Sequence, residues 1–354
     1  MPGRSPRARF RVSIDQDDAV MTALTTCTLV VDATYRCNSP CRYCRWGSPS
    51  TAGREDMPLA ELCLPKALLE ELETTRVVIC GGEPLLYPHL ESLIRHYAQL
   101  CPEVVIVTNG LLLEDSILQR LHATGLTGVV ISVDSTDPKV FRANRGLDGS
   151  AHQRVLDAVA TTARWRRRPD FELGLNAVVT RVSGTVASVA ELMAFAERHK
   201  VDVVKFAPVF DDGFAGAMAP DLLLAPDCAP ELEAIAELDF AASLSKTNPP
   251  SFWRDIARLA RGEDFDGVAC GLDGRTALMA RGRLSLCYWV PESEITMRRS
   301  RGRLPLVEQR SVADARSALA QRKPGCRVGA SCWCMQRLDH SWSRGSSMAA
   351  EARA

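Results

Sequence analysis

Six short runs rich in Val and Ile, separated by stretches of helical spacing, constrain this chain more than any other feature of its sequence. They are CTLVVDA (27–33), RVVIC (76–80), EVVIVT (103–108), GVVISVD (128–134), ELGLNAVVT (172–180) and VDVVKFAPV (201–209). Each has the length and β-branched content of a buried strand. The segments between them, such as 59–73, 89–100 and 186–200, repeat their apolar residues at the helical period. Strands alternating with helices build a parallel sheet through right-handed crossovers. Six units fall short of the eight that close a barrel. The expected fold is therefore α/β, a partial (β/α)6 barrel over residues 25–212.

The flanks read differently. Residues 1–24 are basic, then acidic, with no apolar core, and predict a flexible arm rather than a secretory signal. Residues 213–265 read as a helical linker, 266–340 as a small Cys-rich domain, and 341–354 as a frayed tail. The Cys-rich part has little apolar periodicity and needs a metal staple to hold a fold. At 46% apolar and 24% charged residues, the composition excludes whole-chain disorder. Lys plus Arg and Asp plus Glu are both 43, so no net charge draws the chain to nucleic acid or an anionic membrane. The arginine groups at 164–168 and 298–303 are local. No apolar run reaches the ~18 residues of a membrane span, and the expected location is the cytoplasm.

Thirteen cysteines stand out. In a reducing compartment they favour metal binding or catalysis over disulfides. Cys37, Cys41 and Cys44 have the spacing C-x3-C-x2-C directly after the first strand. That places them on a loop at the carboxyl end of the sheet, where active sites of such folds lie. Three thiolates on one loop can hold three irons of a [4Fe–4S] cube and leave the fourth iron open. The alternative is a zinc knuckle, which wants four closed ligands. A second group comprises Cys270, Cys287, Cys326, Cys332 and Cys334. A turn at Gly282 predicts a hairpin that brings Cys270 and Cys287 together, and a structural zinc site is an open alternative there too. Cys27, Cys63, Cys80 and Cys101 read as small apolar core residues. Cys228 reads as linker packing, with hydrogen-atom delivery to a substrate as the other reading.

The first cluster resembles the signature of the radical S-adenosylmethionine (radical SAM) superfamily, and further residues carry the resemblance. Gly81-Gly82-Glu83-Pro84 follows the second strand, Thr108-Asn109-Gly110 ends the third, and Ile131-Ser132-Val133-Asp134 ends the fourth. Tyr43 precedes the third cysteine, and Arg145-Gly146 stands where many members have Arg-Gly. The resemblance implies a [4Fe–4S] cluster on Cys37, Cys41 and Cys44 with S-adenosylmethionine (SAM) on its open iron. It implies that Gly81, Gly82 and Glu83 receive the ammonium of SAM. Asn109 ends its strand as in the family. Ser132 and Asp134 would take the ribose hydroxyls, Tyr43 would lie near adenine, and Arg145 would reach the carboxylate. Asn176 and Val179 are further candidates for the adenine pocket. One electron then cleaves SAM to methionine and a 5′-deoxyadenosyl radical, which abstracts a hydrogen atom from the substrate.

The second cysteine group resembles the SPASM and twitch extensions of the same superfamily, and fits the shorter twitch type better. This implies an auxiliary [4Fe–4S] cluster on Cys270, Cys287, Cys332 and Cys334, with Cys326 able to replace one of the last pair. The twitch resemblance and the short N-terminal arm favour a small substrate, a sugar, aminocyclitol or nucleoside, oxidised or rearranged in a biosynthetic pathway. Maturation of a ribosomally made peptide is the alternative. A non-catalytic zinc-binding module is the alternative of another class. A flavodoxin- or ferredoxin-type donor is the expected redox partner. Lys205, Asp211 and Asp212 are candidate substrate bases.

Overall fold

A computed structural model describes residues 27–44, 56–165, 171–209, 219–240, 243–263, 276–280, 283–286, 294–295 and 311–322. All six expected strands form: β1 (Cys27–Thr34), β2 (Thr74–Gly81), β3 (Glu103–Thr108), β4 (Gly128–Ser132), β5 (Glu172–Val179) and β6 (Val203–Pro208). They pair in parallel in chain order. The two-residue strand β7 (Lys246–Thr247) adds beside β6, again parallel. At the other edge, β8 (Thr276–Ala280) pairs in parallel with β1. It turns back into β9 (Arg283–Ser285), antiparallel, with Ala280 opposite Arg283 across a two-residue link. β10 (Glu294–Ile295) ends the order β10-β9-β8-β1-β2-β3-β4-β5-β6-β7. The sheet is open, an unclosed partial barrel.

One face of the sheet carries the core. Leu29, Val31, Val77, Ile79, Ile106, Ile131, Leu173 and Leu175 are fully buried there. They belong to one apolar cluster with Leu93, Ile94, Leu118, Val155 and Leu192 from the helices. Helix ends follow local chemistry. Thr185 accepts a hydrogen bond from the Ser188 N–H and starts the helix Val186–Arg198. Asp137 does the same, from the Lys139 N–H, for the helix Pro138–Arg145, which begins on its proline.

The strands are not buried on both faces, as continuous apolar runs suggest. β1 and β5 alternate buried and half-buried residues over part of their length, because helices cover only one side. The other side is the inner face of the partial barrel. At its amino end Arg76 of β2 donates to Glu103 of β3 at 2.6 Å and to both carboxylate oxygens of Glu172 of β5 at 2.7 and 2.8 Å. β4 lies between β3 and β5 and puts Gly128 under this bridge; a Cβ there would stand 2.8 Å from the Glu172 Cβ. The ionic floor leaves the carboxyl end as the usable end of the inner face.

Candidate active site

β1 ends at the buried Thr34, and the cysteine loop follows. Cys37, Cys41 and Cys44 are free thiols of intermediate exposure. Polar groups attend the sulfurs. The Ser39 N–H donates to Cys37 Sγ at 3.4 Å, and Ser39 Oγ lies 3.1 Å from Cys41 Sγ. Asn109 Nδ2 donates to Asn38 Oδ1 at 2.7 Å and to Cys37 Sγ at 3.8 Å. Burial pushes the Cys37 thiol up. Arg36 grips Asp56 through Nε (3.1 Å) and Nη2 (2.6 Å), so the two ends of the chain around the three cysteines are tied together. Among the described residues, no three His, Cys, Asp or Glu side chains gather to hold a metal ion. A [4Fe–4S] cube engages each thiolate at a different iron, so its ligands need not converge on one point. Three free thiols with polar neighbours on one loop fit its donor chemistry.

The Gly-Gly-Glu turn after β2 is seated against the entry to this loop. The Gly82 N–H donates to Thr34 O and the Glu83 N–H to Arg36 O, both at 2.8 Å. A Cβ on Gly81, whose φ is +121°, would stand 2.5 Å from Thr34 O, and one on Gly82 would stand 2.2 Å from Arg36 O. The close approach these glycines allow is to the chain's own backbone. Glu83 is fully buried. Its carboxylate accepts from the Leu85 N–H (3.0 Å), the Thr108 hydroxyl (2.7 Å) and the Asn109 N–H (2.7 Å). Burial pushes this carboxyl up, and the three donors work against that.

Tyr43, Asp134 and Arg145 meet one another. Arg145 Nε and Nη2 donate to the two oxygens of Asp134 at 2.9 and 3.0 Å. The Tyr43 hydroxyl and the Val178 N–H add bonds to the same carboxylate at 2.7 and 3.2 Å. Burial alone lowers Arg145, but Asp134 outweighs it and holds the guanidinium well above its ordinary value. Burial, with Asp134 next to it, pushes the Tyr43 phenol up, so it stays a donor.

The inner face carries two polar groups toward its carboxyl end, with Val107 and Val130 partnered on the strands between them. Asp32 and Cys80 are partners across β1 and β2, and the Cys80 thiol donates to Asp32 Oδ1 at 3.2 Å. Ser132, Asn176 and Lys205 are partners across β4, β5 and β6. Val179 lies on the opposite face from Asn176 and is buried. Asp32 escaped sequence reasoning, although a carboxylate inside an apolar strand was a visible signal. Cys80 read as core packing, yet it shares its side of the strand with Val78 and not with the buried Val77 and Ile79. Cys27, Cys101 and Cys228 do sit in the apolar cluster. Cys270, Cys287, Cys326, Cys332 and Cys334 lie outside the described residues, as do Asp211, Asp212 and Gly282. No described helix is long and apolar enough to cross a membrane.

Residues 31–164 match the family model of the radical SAM superfamily. GTP 3',8-cyclase of Mycobacterium ulcerans (strain Agy99) is 30% identical over 283 residues, 75% of each chain. PqqA peptide cyclase of Rhodopseudomonas palustris (strain ATCC BAA-98 / CGA009) is 27% identical over 213 residues, 59% of this chain and 55% of the relative. Among solved structures, Streptococcus suis SuiB bound to S-adenosylmethionine superposes with a TM-score of 0.55 at 19% identity. The match covers 76% of this chain and 62% of SuiB, so this chain spans less than two thirds of that structure. Native anSMEcpe with bound AdoMet gives a TM-score of 0.53 at 17% identity, covering 76% of this chain and 77% of that one. These structural likenesses speak to the fold.

Proposed function

Because this chain belongs to the radical SAM superfamily, we propose that it abstracts a hydrogen atom from a small polar substrate held at the carboxyl end of its inner sheet face. The chain is a radical SAM enzyme, and its family works with a [4Fe–4S] cluster and S-adenosylmethionine. The reading as a non-catalytic zinc module is set aside with that. When bound, the cluster and SAM supply one-electron cleavage and hydrogen-atom abstraction.

The chain's own residues divide the work. Cys37, Cys41 and Cys44 hold the cluster. Gly81 and Gly82 seat the turn that carries Glu83 beside the cysteine loop. Three donors of the protein hold the buried Glu83 carboxylate in place, and its negative charge favours the SAM ammonium at the turn it anchors. Asn109 links this turn to Asn38 of the loop. Ser132 and Asn176 face the adenosyl group from β4 and β5. Asp134 and Arg145 fix Tyr43, which borders the adenine.

The observation that carries the substrate class is the polar part of the inner face beyond the residues given to SAM: Asp32 with Cys80 on β1 and β2, and Lys205 on β6. A carboxylate, a thiol and a lysine amine suit a ligand rich in hydroxyl or amino groups, and Lys205, as the neutral amine, is the candidate base. The ionic floor below limits the depth. A nucleoside, sugar or aminocyclitol fits this description, and GTP 3',8-cyclase is itself named for a nucleotide. The hairpin of β8 and β9 supports an auxiliary cluster on Cys270, Cys287, Cys332 and Cys334, since it turns the chain back between the first two. A flavodoxin- or ferredoxin-type protein supplies the electron. A second reading, maturation of a ribosomal peptide, is favoured by the likeness to PqqA peptide cyclase and to SuiB bound to the precursor peptide SuiA.

The test is 5′-deoxyadenosine formation by the reconstituted enzyme with SAM and dithionite, against a panel of nucleosides, sugars, aminocyclitols and short peptides. Stimulation by a small polar compound, lost in Lys205→Ala, is expected. Stimulation by peptides alone would overturn the substrate class.

A further inference from the structure

The cysteine loop is fastened at a point its spacing does not require. Arg42 sits between the second and third cysteines. Its backbone N–H donates to Asn144 O at 3.0 Å, and its Nη1 donates to Ala143 O at 3.1 Å. Both carbonyls belong to the last turn of the helix Pro138–Arg145, where they have no acceptor role within the helix. The helix stops there because Gly146 takes the left-handed conformation, φ +67°. A cation at this end also meets the negative end of the helix dipole.

The same guanidinium reaches further. Nη1 and Nη2 donate to the two oxygens of Asp221 at 3.0 and 2.7 Å. Asp221 lies in the short turn Pro220–Leu222. That turn has its own anchors: Leu222 is fully buried, and its carbonyl accepts from the Arg181 N–H at 2.9 Å. Arg181 also pairs with Asp227 further along. Arg42 therefore joins three segments distant in sequence: the cysteine loop, the helix end, and a turn beyond β6. Tyr43, the next residue, reaches Arg145, the next residue of the helix, through Asp134. Two consecutive loop residues dock on two consecutive helix residues.

We propose that Arg42 is a positioning residue for the iron–sulfur cluster: with Asp221 it fixes the Cys41–Cys44 segment against the helix Pro138–Arg145, so that the thiol spacing is set by the protein. This rests on the reading that Cys37, Cys41 and Cys44 hold the cluster. The geometry asks for arginine. A lysine ammonium is a single point and cannot give a carbonyl bond and a paired carboxylate grip together.

The test uses the full chain after anaerobic reconstitution. Wild type is compared with Arg42→Ala, Arg42→Lys, Asp221→Asn, Arg181→Ala and a Cys37→Ala, Cys41→Ala, Cys44→Ala triple variant. The readouts are the rate of iron loss to a chelator, the EPR spectrum of the dithionite-reduced protein with and without SAM, and the thermal melt by circular dichroism. Outer partners of metal ligands are worth about 10- to 100-fold in affinity. Iron loss from the SAM-responsive cluster is expected to speed up in that range in Arg42→Ala, with an altered EPR signal and a near-normal melt. Asp221→Asn shifts the same way by less, and Arg42→Lys falls between. Combining Arg42→Ala with Asp221→Asn adds little to Arg42→Ala, because the two act as one unit. Arg181→Ala changes none of these. Unchanged iron loss and spectra in both Arg42→Ala and Asp221→Asn would overturn the inference. If Arg42→Ala does not fold, Asp221→Asn decides alone, since Asp221 is exposed. A SAM-responsive signal that survives in the triple cysteine variant would instead overturn the cluster assignment itself.

Discussion

Arg145 holds Asp134 by two parallel hydrogen bonds, at 2.9 and 3.0 Å, with 2% of one side chain and none of the other exposed. Two charges this far from water are stable only together. Removing one partner of a buried pair costs about 3–5 kcal/mol, because the other charge stays buried alone. Arg145→Met should lose stability on that scale in urea unfolding, and the double variant Arg145→Met, Asp134→Asn should recover part of it. A single variant as stable as wild type would mean that the pair does not organise this end of the sheet.

Glu83 predicts a subtler defect. Glu83→Gln keeps the shape but offers one acceptor oxygen to three donors, and turns an amide N–H toward one of them. A buried donor left without its acceptor costs about 1–3 kcal/mol. The variant should fold, melt lower, and bind SAM more weakly in equilibrium dialysis. Undiminished SAM binding would remove Glu83 from the cofactor site.

The glycines give a paired comparison. Gly82→Ala forces a Cβ to within 2.2 Å of Arg36 O, a backbone atom that cannot swing aside. It should yield insoluble protein or a much lower melting temperature. Gly149→Ala, at the start of a helix with open space around the new Cβ, should be neutral or slightly stabilising. Equal tolerance at both positions would contradict the seating of the turn on residues 34–36.

A pH dependence follows from Asp56. Partial burial raises its carboxyl, but hydrogen bonds from Arg36 and Thr34 outweigh that and bring it below the usual carboxylate value. An acid whose folded value is depressed stabilises the fold above its unfolded pKa, about 3.9, and loses that contribution as pH falls through the folded value. The stability gap between wild type and Asp56→Asn should therefore be full at neutral pH and shrink below about pH 4. Urea titrations at several pH values would show it. A gap that widens in acid would show that the Arg36–Asp56 tie is not the source.

Metal content tests the cysteine groups directly. After anaerobic reconstitution, wild type should carry about eight irons and the Cys37→Ala, Cys41→Ala, Cys44→Ala variant about four, one cube per group. Four and none would leave a single cluster and remove the auxiliary one.

Much of this molecule was legible along the chain. The six strands fall on the six Val- and Ile-rich runs because burial on the helix-covered side demands apolar residues at close intervals. The cysteine loop, the Gly-Gly-Glu turn and Asn109 sit at strand ends because each follows its strand within a few residues. β7 was not legible: two residues, Lys246 and Thr247, carry no periodic signal, and they become a strand only because β6 presents an open edge. The place of β8 beside β1, across the sheet from β7, was not legible either, because that pairing joins segments far apart in the chain.

The partners of the site residues belong to the tertiary structure alone. The sequence by itself determined which residues stand near the carboxyl end, since strand direction and local spacing are short-range properties. It did not determine that Tyr43, Asp134, Arg145 and the Val178 N–H share one carboxylate, or that Arg42 meets Asn144 and Asp221. Apart from Asp134 and Arg145, eleven residues apart, those groups come from segments separated by dozens of residues, and they meet only once the sheet has set its order and register. Buried charge then selects the nearest opposite charge, because in a dry interior no water is left to stand in for a partner.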